Sequence, residues 1–196
     1  MVILKILRII KKWLNFMKYK KIHTIAFDFD GVFTNNKVIF DQNGKESVIC
    51  NRADSLGINL LKSYISINNL DVDFFIVSSE NNKVVSKRAN KMKIKANIGI
   101  KNKLEFIERY LIKKLNYEKN IYSGLIYIGN DLNDLPIILK SGISFAPKDA
   151  HNLIKKNVTK VFNKKGGDGF VRLVIEHILD FNKLNLKNLE KLINFR

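Results

Sequence analysis

The sequence has a single cysteine, no internal repeat and no low-complexity stretch. Cys50 has no second cysteine with which to form an internal disulfide, and no cysteine neighbours that would complete a zinc site. A chain that does not depend on disulfides is typical of a reducing compartment, so we expect a cytoplasmic protein.

The absence of repeats and linkers favours one folded domain with appendages. A length of 196 residues is sufficient to bury a core, and 46% hydrophobic with 27% charged residues is typical of a globular chain rather than a disordered one. We predict an N-terminal extension at 1–21, a folded domain at 22–180 and a C-terminal tail at 181–196.

Acidic residues are scarce relative to basic ones. The 18 Asp and Glu residues are outnumbered by 35 Lys and Arg residues, which gives a formal net charge of +17. Such an excess raises the question of a nucleic acid, an anionic membrane or an anionic substrate as partner. No basic groove with interleaved aromatic residues and no nucleic-acid motif accompanies the charge, so we expect no nucleic-acid partner.

The first 21 residues contain no acidic side chain and combine basic residues with an apolar stripe. The apolar residues recur at helical spacing and are Ile3, Leu7, Ile10, Leu14 and Met17. The lysines between them make the segment too polar to cross a membrane, and no signal-peptide cleavage site follows it. Three interpretations remain: peripheral membrane contact through residues 1–20, a packing or linking appendage, or translation that starts at Met17.

From Ile22 onward, short apolar runs of β type alternate with amphipathic helical segments. The runs that predict strands are "IHTIAFDFD", "VDFFIVSSE", "GLIYIGNDLNDL", "ISFAP" and "TKVFN". This alternation predicts an α/β fold, a Rossmann-like parallel sheet with helices on both faces. After the first strand, Asn43-Gly44 predicts a β-hairpin that would overhang the carboxyl end of the sheet.

Polar side chains follow three of the predicted strands, at the edge where a parallel sheet places its active crevice. They are Asp28 and Asp30, then Ser78 to Glu80, then Asn130 to Asp134. Buried carboxylates are costly unless they are paired or bind a metal, and oxygen ligands without His or Cys favour Mg²⁺. The convergence of these groups predicts an enzyme with a magnesium site.

The two aspartates after the first strand can divide phosphoryl-transfer chemistry between them if a cation shields their charge. Asp28 can attack phosphorus, and Asp30 can protonate the leaving oxygen. A hydroxyl and an ammonium group are then needed to hold the remaining phosphate oxygens, and Ser78 and Lys103 can supply them.

Four motifs resemble, in order and spacing, those of the haloacid dehalogenase superfamily of phosphatases. They are "DFDGVFT", "VSSE", the Lys103 that follows "GIKN", and "GNDLNDLP". The hairpin, "RADSLGI" and "KKGGDGFVR" resemble the branch with a β-hairpin flap instead of a large cap domain, which dephosphorylates 3-deoxy-2-ulosonic acids. That branch includes octulosonate 8-phosphate phosphatases, nonulosonate 9-phosphate phosphatases and the phosphatase-like domain of acylneuraminate cytidylyltransferases.

The resemblance implies a role for each matching residue. Asp28 is the expected nucleophile that becomes an aspartyl phosphate, and Asp30 the expected acid and base. Ser78 and Lys103 are expected to bind the phosphoryl group, and Asp134 to orient Lys103 and support the metal. The Mg²⁺ ligands implied are drawn from Asp28, Asp30, Asn130, Asp131 and Asp134. The substrate contacts expected are Thr34, Ser79, Glu80, Arg88, Lys91 and Arg172.

Two positions bear on activity and substrate. Phosphatases of this branch commonly have Gly-Asp-Asp where this chain has Gly129-Asn130-Asp131, so Mg²⁺ is expected to bind more weakly unless Asp131 takes over. Asn at that position resembles the cytidylyltransferase-fused domains, in some of which catalysis is weak or lost. Glu80 resembles the nonulosonate side of the branch, because octulosonate phosphatases usually have Arg there. Arg88 and Lys91 either meet the sugar-acid carboxylate or are solvated helix charges.

The resemblance also implies an assembly, since the branch forms tetramers through its hairpins and its C-terminal segment can cover a neighbour's active site. Gly166, Gly167, Gly169 and Arg172 then belong either to such a lid or to a plain loop. Three functional hypotheses follow. The first is a Mg²⁺-dependent homotetrameric phosphatase of a small anionic phosphorylated sugar acid. The second is a weakly active or non-catalytic partner of a sugar-acid cytidylyltransferase, and the third is a basic binding module that uses the N-terminal segment.

Overall fold

The computed structural model describes residues 22–116 and 120–195. The predicted N-terminal extension, with its three interpretations, lies outside the described residues. Within the two described ranges, no helix is both long enough and apolar enough to span a bilayer. The division of the chain at residues 21 and 180 stays a prediction.

The strands form one parallel sheet and one separate hairpin. The parallel sheet contains β1 (Thr24–Phe27), β4 (Asp73–Val77), β5 (Lys95–Asn97), β6 (Leu125–Ile128), β7 (Ile143–Pro147) and β8 (Lys160–Phe162). Its strand order is β5-β4-β1-β6-β7-β8, and the hairpin pairs β2 (Ile39–Phe40) with β3 (Glu46–Ser47). The predicted α/β fold and the hairpin are therefore confirmed.

Helices lie on both faces of the sheet. They are α1 (Arg52–Ile67), α2 (Lys83–Met92), α3 (Lys103–Leu115), α4 (Leu135–Lys140), α5 (Asn152–Asn157), α6 (Phe170–Ile178) and α7 (Leu186–Asn194). Alternate residues of β1 point to opposite faces, so Phe27 joins the core under α1, α2 and α6, whereas Ala26 joins the core under α3, α4 and α5. Both faces of the central strand are therefore buried, which explains its continuous apolar sequence.

Two elements were missed in the sequence. Strand β5 has only three residues, of which Lys95 is exposed, so neither apolar content nor alternation marks it. The C-terminal tail forms α7, and its Leu192 is buried in the same core cluster as residues of α1. Tertiary contacts select both elements, and a single-sequence pattern does not contain that information.

The register brings the ends of β4, β1 and β6 to one edge. Phe27 of β1 lies opposite Ile76 of β4 on one side and Ile128 of β6 on the other. The backbone N–H of Asp28 then donates to the carbonyl of Ile128 at 2.8 Å. The polar residues that follow these strands therefore face a common crevice.

Helices α1 and α6 pack against each other around a buried carboxylate, Asp54. Its Oδ1 accepts the backbone N–H of Arg172 at 3.0 Å, while its buried Oδ2 has no hydrogen-bond partner among the described residues. Burial raises the pKa of Asp54 from 3.8 to about 6, against the lowering effects of the Arg172 N–H and the Arg88 charge.

The free energy of unfolding is expected to fall as pH rises through Asp54's titration. Between about pH 4 and 6, Asp54 keeps its proton in the folded chain but has released it in the unfolded chain, so raising the pH favours unfolding. Over this interval the free energy of unfolding should fall by about 2–3 kcal/mol in total. In denaturant titrations from pH 4 to 8, the free energy of unfolding of Asp54→Asn should not show this fall with pH. Asp71→Asn, at an exposed position, should keep it; equal slopes for Asp54→Asn and the wild type would contradict the assignment.

Candidate active site

The ends of β1, β4 and β6 surround a cavity of about 360 Å³. Seven of its lining residues are among those predicted from the sequence: Asp28, Asp30, Ser78, Ser79, Glu80, Asn130 and Asp131. Asn36, Leu132 and Asn133 also line it and were missed. Asn133 lies inside the motif "GNDLNDLP" and Asn36 lies two residues after "DFDGVFT", but only the folded loops show that their side chains reach the cavity.

Asp28 lies at the bottom of this cavity and is 5% exposed. Its Oδ1 accepts the backbone N–H of Phe29 at 2.8 Å and lies 2.7 Å from the Nζ of Lys103. Burial raises the pKa of Asp28 to about 8, and the charge of Asp134 adds to the rise, whereas Lys103 lowers it. A further positive charge in the cavity would favour the ionised form that a nucleophile needs.

Lys103, the first residue of α3, is buried between two carboxylates. Its Nζ lies 2.7 Å from Oδ1 of Asp28 and 2.7 Å from Oδ1 of Asp134. Burial by itself lowers the pKa of Lys103, but the two carboxylates outweigh it and the net shift is upward. The ammonium group is therefore charged and held beside the nucleophile.

Asp134 is fully buried and uses both of its oxygens within the protein. Its Oδ1 accepts from Lys103 and from the hydroxyl of Tyr127 at 2.6 Å. Its Oδ2 accepts the backbone N–H groups of Asn130 at 2.8 Å and Asp131 at 3.2 Å. These contacts place Asp134 beside Lys103, and its role in orienting Lys103 for catalysis stays a prediction. The sequence did not single out Tyr127, because a tyrosine inside a buried strand resembles any other core aromatic residue.

Asp30 is held at the cavity wall by the loop that follows β1. The hydroxyl of Thr34 donates to Oδ1 of Asp30 at 3.4 Å and accepts the backbone N–H of Gly31 at 3.1 Å. Burial raises the pKa of Asp30, and the nearby Glu80 adds to the rise, against the Thr34 hydrogen bond. A raised pKa suits a group that must donate a proton. Thr34 itself is buried and is not among the residues that line the cavity.

The ends of β4 and β6 contribute hydroxyl and amide groups. Ser78 is 1% exposed, and its Oγ accepts the backbone N–H of Glu80 at 3.2 Å. At the rim, the amide of Asn133 donates to Oγ of Ser79 at 3.1 Å, which joins the two strand ends across the cavity. Ser78 is buried and Ser79 is partly exposed, and both line the cavity. Their roles as a phosphoryl contact and a substrate contact stay predictions.

The glycine-rich loop before α6 supports the loop that follows β1. A Cβ on Gly166 would lie 1.9 Å from the carbonyl oxygen of Gly31, and the N–H of Gly167 donates to the carbonyl of Val32 at 3.1 Å. Only a glycine permits such an approach. Gly166 and Gly167 therefore pack against the active-site loop of their own chain, and a lid over a neighbour's active site stays a prediction.

Three predicted substrate contacts lie away from the cavity in this chain. The guanidinium of Arg88 donates to the carbonyl of Asn51 at 2.9 Å and to Oγ of Ser55 at 2.8 Å, which ties α2 to α1. Arg172 pairs with Glu176 along α6, and Lys91 is exposed on α2. None of the three is among the residues that line the cavity. A direct substrate contact by any of them stays a prediction.

The oxygen atoms near Asn130 offer a test of the predicted magnesium site. No group of three or more His, Cys, Asp or Glu side chains able to hold a metal is found in 22–116 and 120–195. However, the side-chain amide of Asn130 meets both aspartates, since its Nδ2 donates to the carbonyl oxygen of Asp30 at 2.7 Å and to Oδ2 of Asp28 at 3.3 Å. A carboxylate, a backbone carbonyl and an amide that can turn its oxygen toward them suit Mg²⁺, which takes one or two carboxylates and keeps several waters. The residues therefore fit the ion.

The chain belongs to the haloacid dehalogenase-like hydrolases, whose family model matches residues 7–174. The predicted superfamily is confirmed, and so is the predicted enzyme class, a phosphoric monoester hydrolase of this family.

Relatives with assigned names cover most of the chain. A 3-deoxy-D-manno-octulosonate 8-phosphate phosphatase of Haemophilus influenzae is 28% identical over 167 residues, which are 83% of this chain and 85% of the relative. The Yersinia pestis enzyme of the same name is 30% identical and covers 81% of this chain and 80% of its own length.

Solved structures show the same fold. The Moraxella catarrhalis phosphatase of that name, in complex with a magnesium ion, a phosphate ion and a KDO molecule, has a TM-score of 0.73 at 28% identity. It covers 85% of this chain and 90% of its own. A probable phosphatase of Pseudomonas syringae has a TM-score of 0.77 at 27% identity and covers 91% of this chain and 96% of its own.

Proposed function

We propose that the protein is a Mg²⁺-dependent phosphatase that removes the terminal phosphate of a 3-deoxy-2-ulosonic acid phosphate. The observation that supports this most is the placement of Asp28 and Asp30 in one cavity, with the Lys103 ammonium 2.7 Å from Asp28. A nucleophilic carboxylate, a second carboxyl group with a raised pKa and a fixed cation are the groups that phosphoryl transfer through an aspartyl phosphate requires.

The chain's own residues account for both half-reactions. Lys103 and the hydroxyl of Ser78 hold the phosphoryl oxygens while the carboxylate of Asp28 attacks phosphorus. The bond from phosphorus to the sugar oxygen breaks, and Asp30 gives its proton to that oxygen. Asp30 then accepts a proton from a water that attacks the aspartyl phosphate, which releases phosphate and restores Asp28.

A bound Mg²⁺ would shield the charge between the phosphate and the carboxylates. Asp28, the carbonyl oxygen of Asp30 and the side-chain amide of Asn130, turned so that its oxygen faces them, would hold it, since these three groups meet in the cavity. Asp131 is exposed at the rim, where its Oδ1 accepts the N–H of Leu132, and Asp134 has both oxygens occupied by the protein. We therefore assign Asp134 to Lys103 rather than to the ion.

The choice between two substrate classes depends on the cavity rim. The relatives named above are octulosonate 8-phosphate phosphatases, whereas the acidic Glu80 at the rim favours a nonulosonate 9-phosphate. The charge of Glu80 also raises the pKa of Asp30, so it affects an ionisable group that lines the cavity. An acidic rim favours a substrate whose distal part offers hydrogen-bond donors over one that places further negative charge there.

The test is phosphate release from both sugar-acid phosphates with Mg²⁺. We expect the nonulosonate ester to be turned over faster by the wild type, and Glu80→Arg to shift the ratio toward the octulosonate ester by on the order of tenfold. Lys93→Glu, on the C-cap of α2 and outside the cavity lining, is the control for a general change of charge. A Glu80→Arg ratio equal to that of the wild type would remove the substrate assignment but not the phosphatase.

A second candidate function is favoured by Asn130. A neutral amide replaces the charged ligand of the branch, so the domain could be feebly active and serve as an assembly partner of a sugar-acid cytidylyltransferase. An inactive wild type that gains phosphate release as Asn130→Asp would support this candidate. Turnover by the wild type that equals or exceeds that of Asn130→Asp would eliminate it.

The hairpin offers a surface for the proposed homotetramer. Val38, Ile39, Phe40 and Ile49 are each more than half exposed around β2 and β3, which is an unusual concentration of apolar side chains in so short a segment. A second copy of the chain would cover them, since within residues 22–116 and 120–195 the strands β2 and β3 pair only with each other.

Removing the apolar side chains of the hairpin is expected to dissociate the assembly. Ile39→Ser with Phe40→Ser should reduce the mass in light scattering from four times the chain mass toward one, because apolar burial stabilises such interfaces. Leu139→Ser, at an equally exposed position on α4, should leave the mass unchanged. A monomeric wild type would refute the tetramer.

A further inference from the structure

The side-chain amide of Asn130 occupies an unusual position. Its Nδ2 donates to two acceptors, the carbonyl of Asp30 at 2.7 Å and Oδ2 of Asp28 at 3.3 Å. The other end of the amide lies beside Gly31, where a Cβ would be 2.0 Å from it. Gly31 has a φ of +75° and no side chain, so the amide meets no side-chain obstacle there in either orientation.

The two orientations of the amide suit two different states of the cavity. With the oxygen inward, three acceptor oxygens approach one another, which is favourable only if a cation lies among them. With the nitrogen inward, the amide donates to the carbonyl of Asp30 and to Oδ2 of Asp28, and the second hydrogen bond is assisted by the carboxylate charge. Oxygen and nitrogen are nearly equal in size, so the rotation about χ2 changes the chemistry without changing the packing.

We propose that Asn130 is a two-position element that closes the cation site when the site is empty and opens it when Mg²⁺ enters. In the empty site, Nδ2 of Asn130 takes the place of the cation as a donor to Asp28 and Asp30. In the loaded site, the amide is turned and Oδ1 becomes a ligand. The inference rests on the proposed magnesium site, but not on turnover or on the identity of the sugar acid.

An aspartate at position 130 could not act in this way. Both of its oxygens are acceptors, so an empty site would hold unpaired carboxylates beside Asp28 and the Asp30 carbonyl. Asn130 therefore stabilises the cation-free chain and weakens cation binding, because two hydrogen bonds must break before the ion is bound. Occupancy of the site then responds to the Mg²⁺ concentration over a higher range than it would with aspartate.

The first test compares thermal unfolding and Mg²⁺ binding in the wild type and in Asn130→Asp. With a chelator present, Asn130→Asp is expected to unfold at a lower temperature than the wild type. In calorimetric titration it is expected to bind Mg²⁺ at least about tenfold more tightly. Asn90→Asp adds the same charge at an exposed position of α2 outside the cavity lining, and it should show neither change.

The second test observes the amide directly in the wild type. The side-chain NH₂ resonances of Asn130 can be assigned because they disappear in Asn130→Ser. Their chemical shifts in ¹H–¹⁵N spectra should change when Mg²⁺ binds, because the two hydrogen bonds of Nδ2 are then broken. The proposal would be overturned if the Nδ2 chemical shifts did not change when Mg²⁺ binds. It would also be overturned if, in the absence of the cation, Asn130→Asp unfolded at the same temperature as the wild type.

These readouts separate the proposal from the proposed function. A turning amide in a chain that does not hydrolyse the sugar-acid phosphates would support the element and refute the proposed function. An active phosphatase whose amide does not turn would refute the element alone. Failure of both the wild type and Asn130→Asp to bind Mg²⁺ would refute the element together with the metal site.

Discussion

Asp28→Asn is expected to reduce phosphate release by at least about 10⁴-fold. The amide keeps the shape of the side chain but offers no carboxylate to attack phosphorus, so no aspartyl phosphate forms. Removal of one buried charge leaves Lys103 paired with Asp134, so we expect the variant to remain folded. Steady-state phosphate release and thermal unfolding, measured on the same preparation, check the two parts of the prediction.

The control for Asp28→Asn is a carboxylate with the same change in charge far from the cavity. Asp71→Asn breaks only an exposed ion pair with Lys114 and should leave turnover unchanged. Asp30→Asn provides a second comparison, since it keeps the nucleophile and removes the proton donor. Asp28→Asn with one tenth or more of wild-type turnover would exclude Asp28 as the nucleophile.

Lys103→Met is expected to destabilise the chain by about 3–5 kcal/mol, besides abolishing turnover. The substitution keeps most of the side-chain volume but leaves Asp28 and Asp134 buried, both 2.7 Å from a position that no longer has a charge. The loss of stability should become smaller as pH falls, because protonation of Asp28, whose pKa is raised by burial, removes part of the uncompensated charge. Denaturant titrations at pH 5 and pH 8 measure this difference.

Lys101→Met is the matched control for this prediction. Lys101 precedes α3 by two residues and is exposed, so its replacement should change the free energy of unfolding by less than about 0.5 kcal/mol. If Lys103→Met were as stable as Lys101→Met at pH 8, the ion pairs would not contribute as described. Asp134 would then have to be satisfied by Tyr127 and the backbone alone.

The geometry around Asp134 shows why this site depends on more than its four motifs. Tyr127 from β6, Lys103 from α3 and the N–H groups of Asn130 and Asp131 all meet one carboxylate. Each of these partners comes from a different part of the framework, and the ammonium of Lys103 is held rigidly as a result. A preorganised cation at a phosphoryl site stabilises negative charge without reorganisation during the reaction.

The active-site loop depends on support from a distant part of the chain. The loop after β1 is held from within by Thr34 and from beneath by Gly166 and Gly167. The glycines were expected either in a lid, because of their resemblance to a C-terminal segment of the branch, or in a plain loop. Their place under the loop follows from the close approach of two backbones, which no spacing in the sequence reveals.

The sequence alone determined the class of fold and the chemistry of the site's centre. Apolar runs alternating with amphipathic segments indicate a parallel sheet, because each type of element has its own hydrophobic period. Asp28, Asp30, Ser78 and Asn130 directly follow the predicted strands or lie one or two residues beyond them, so sheet topology brings them to one edge. Local pattern and topology were sufficient for these residues.

Only the tertiary structure decided which other residues take part and which do not. The sequence predicted Arg88 and Arg172 as substrate contacts from their places on a helix and in a motif. In the structure, the side chain of Arg88 bonds to α1 and that of Arg172 pairs with Glu176. Tyr127 and Gly166 have no local signal of their roles, because those roles consist of contacts with residues at least seven positions away. The orientation of the Asn130 amide likewise depends on Asp28 and Asp30, about a hundred positions earlier in the chain. Such contacts form only when the packed sheet and helices set the distances, and a one-dimensional pattern does not specify them.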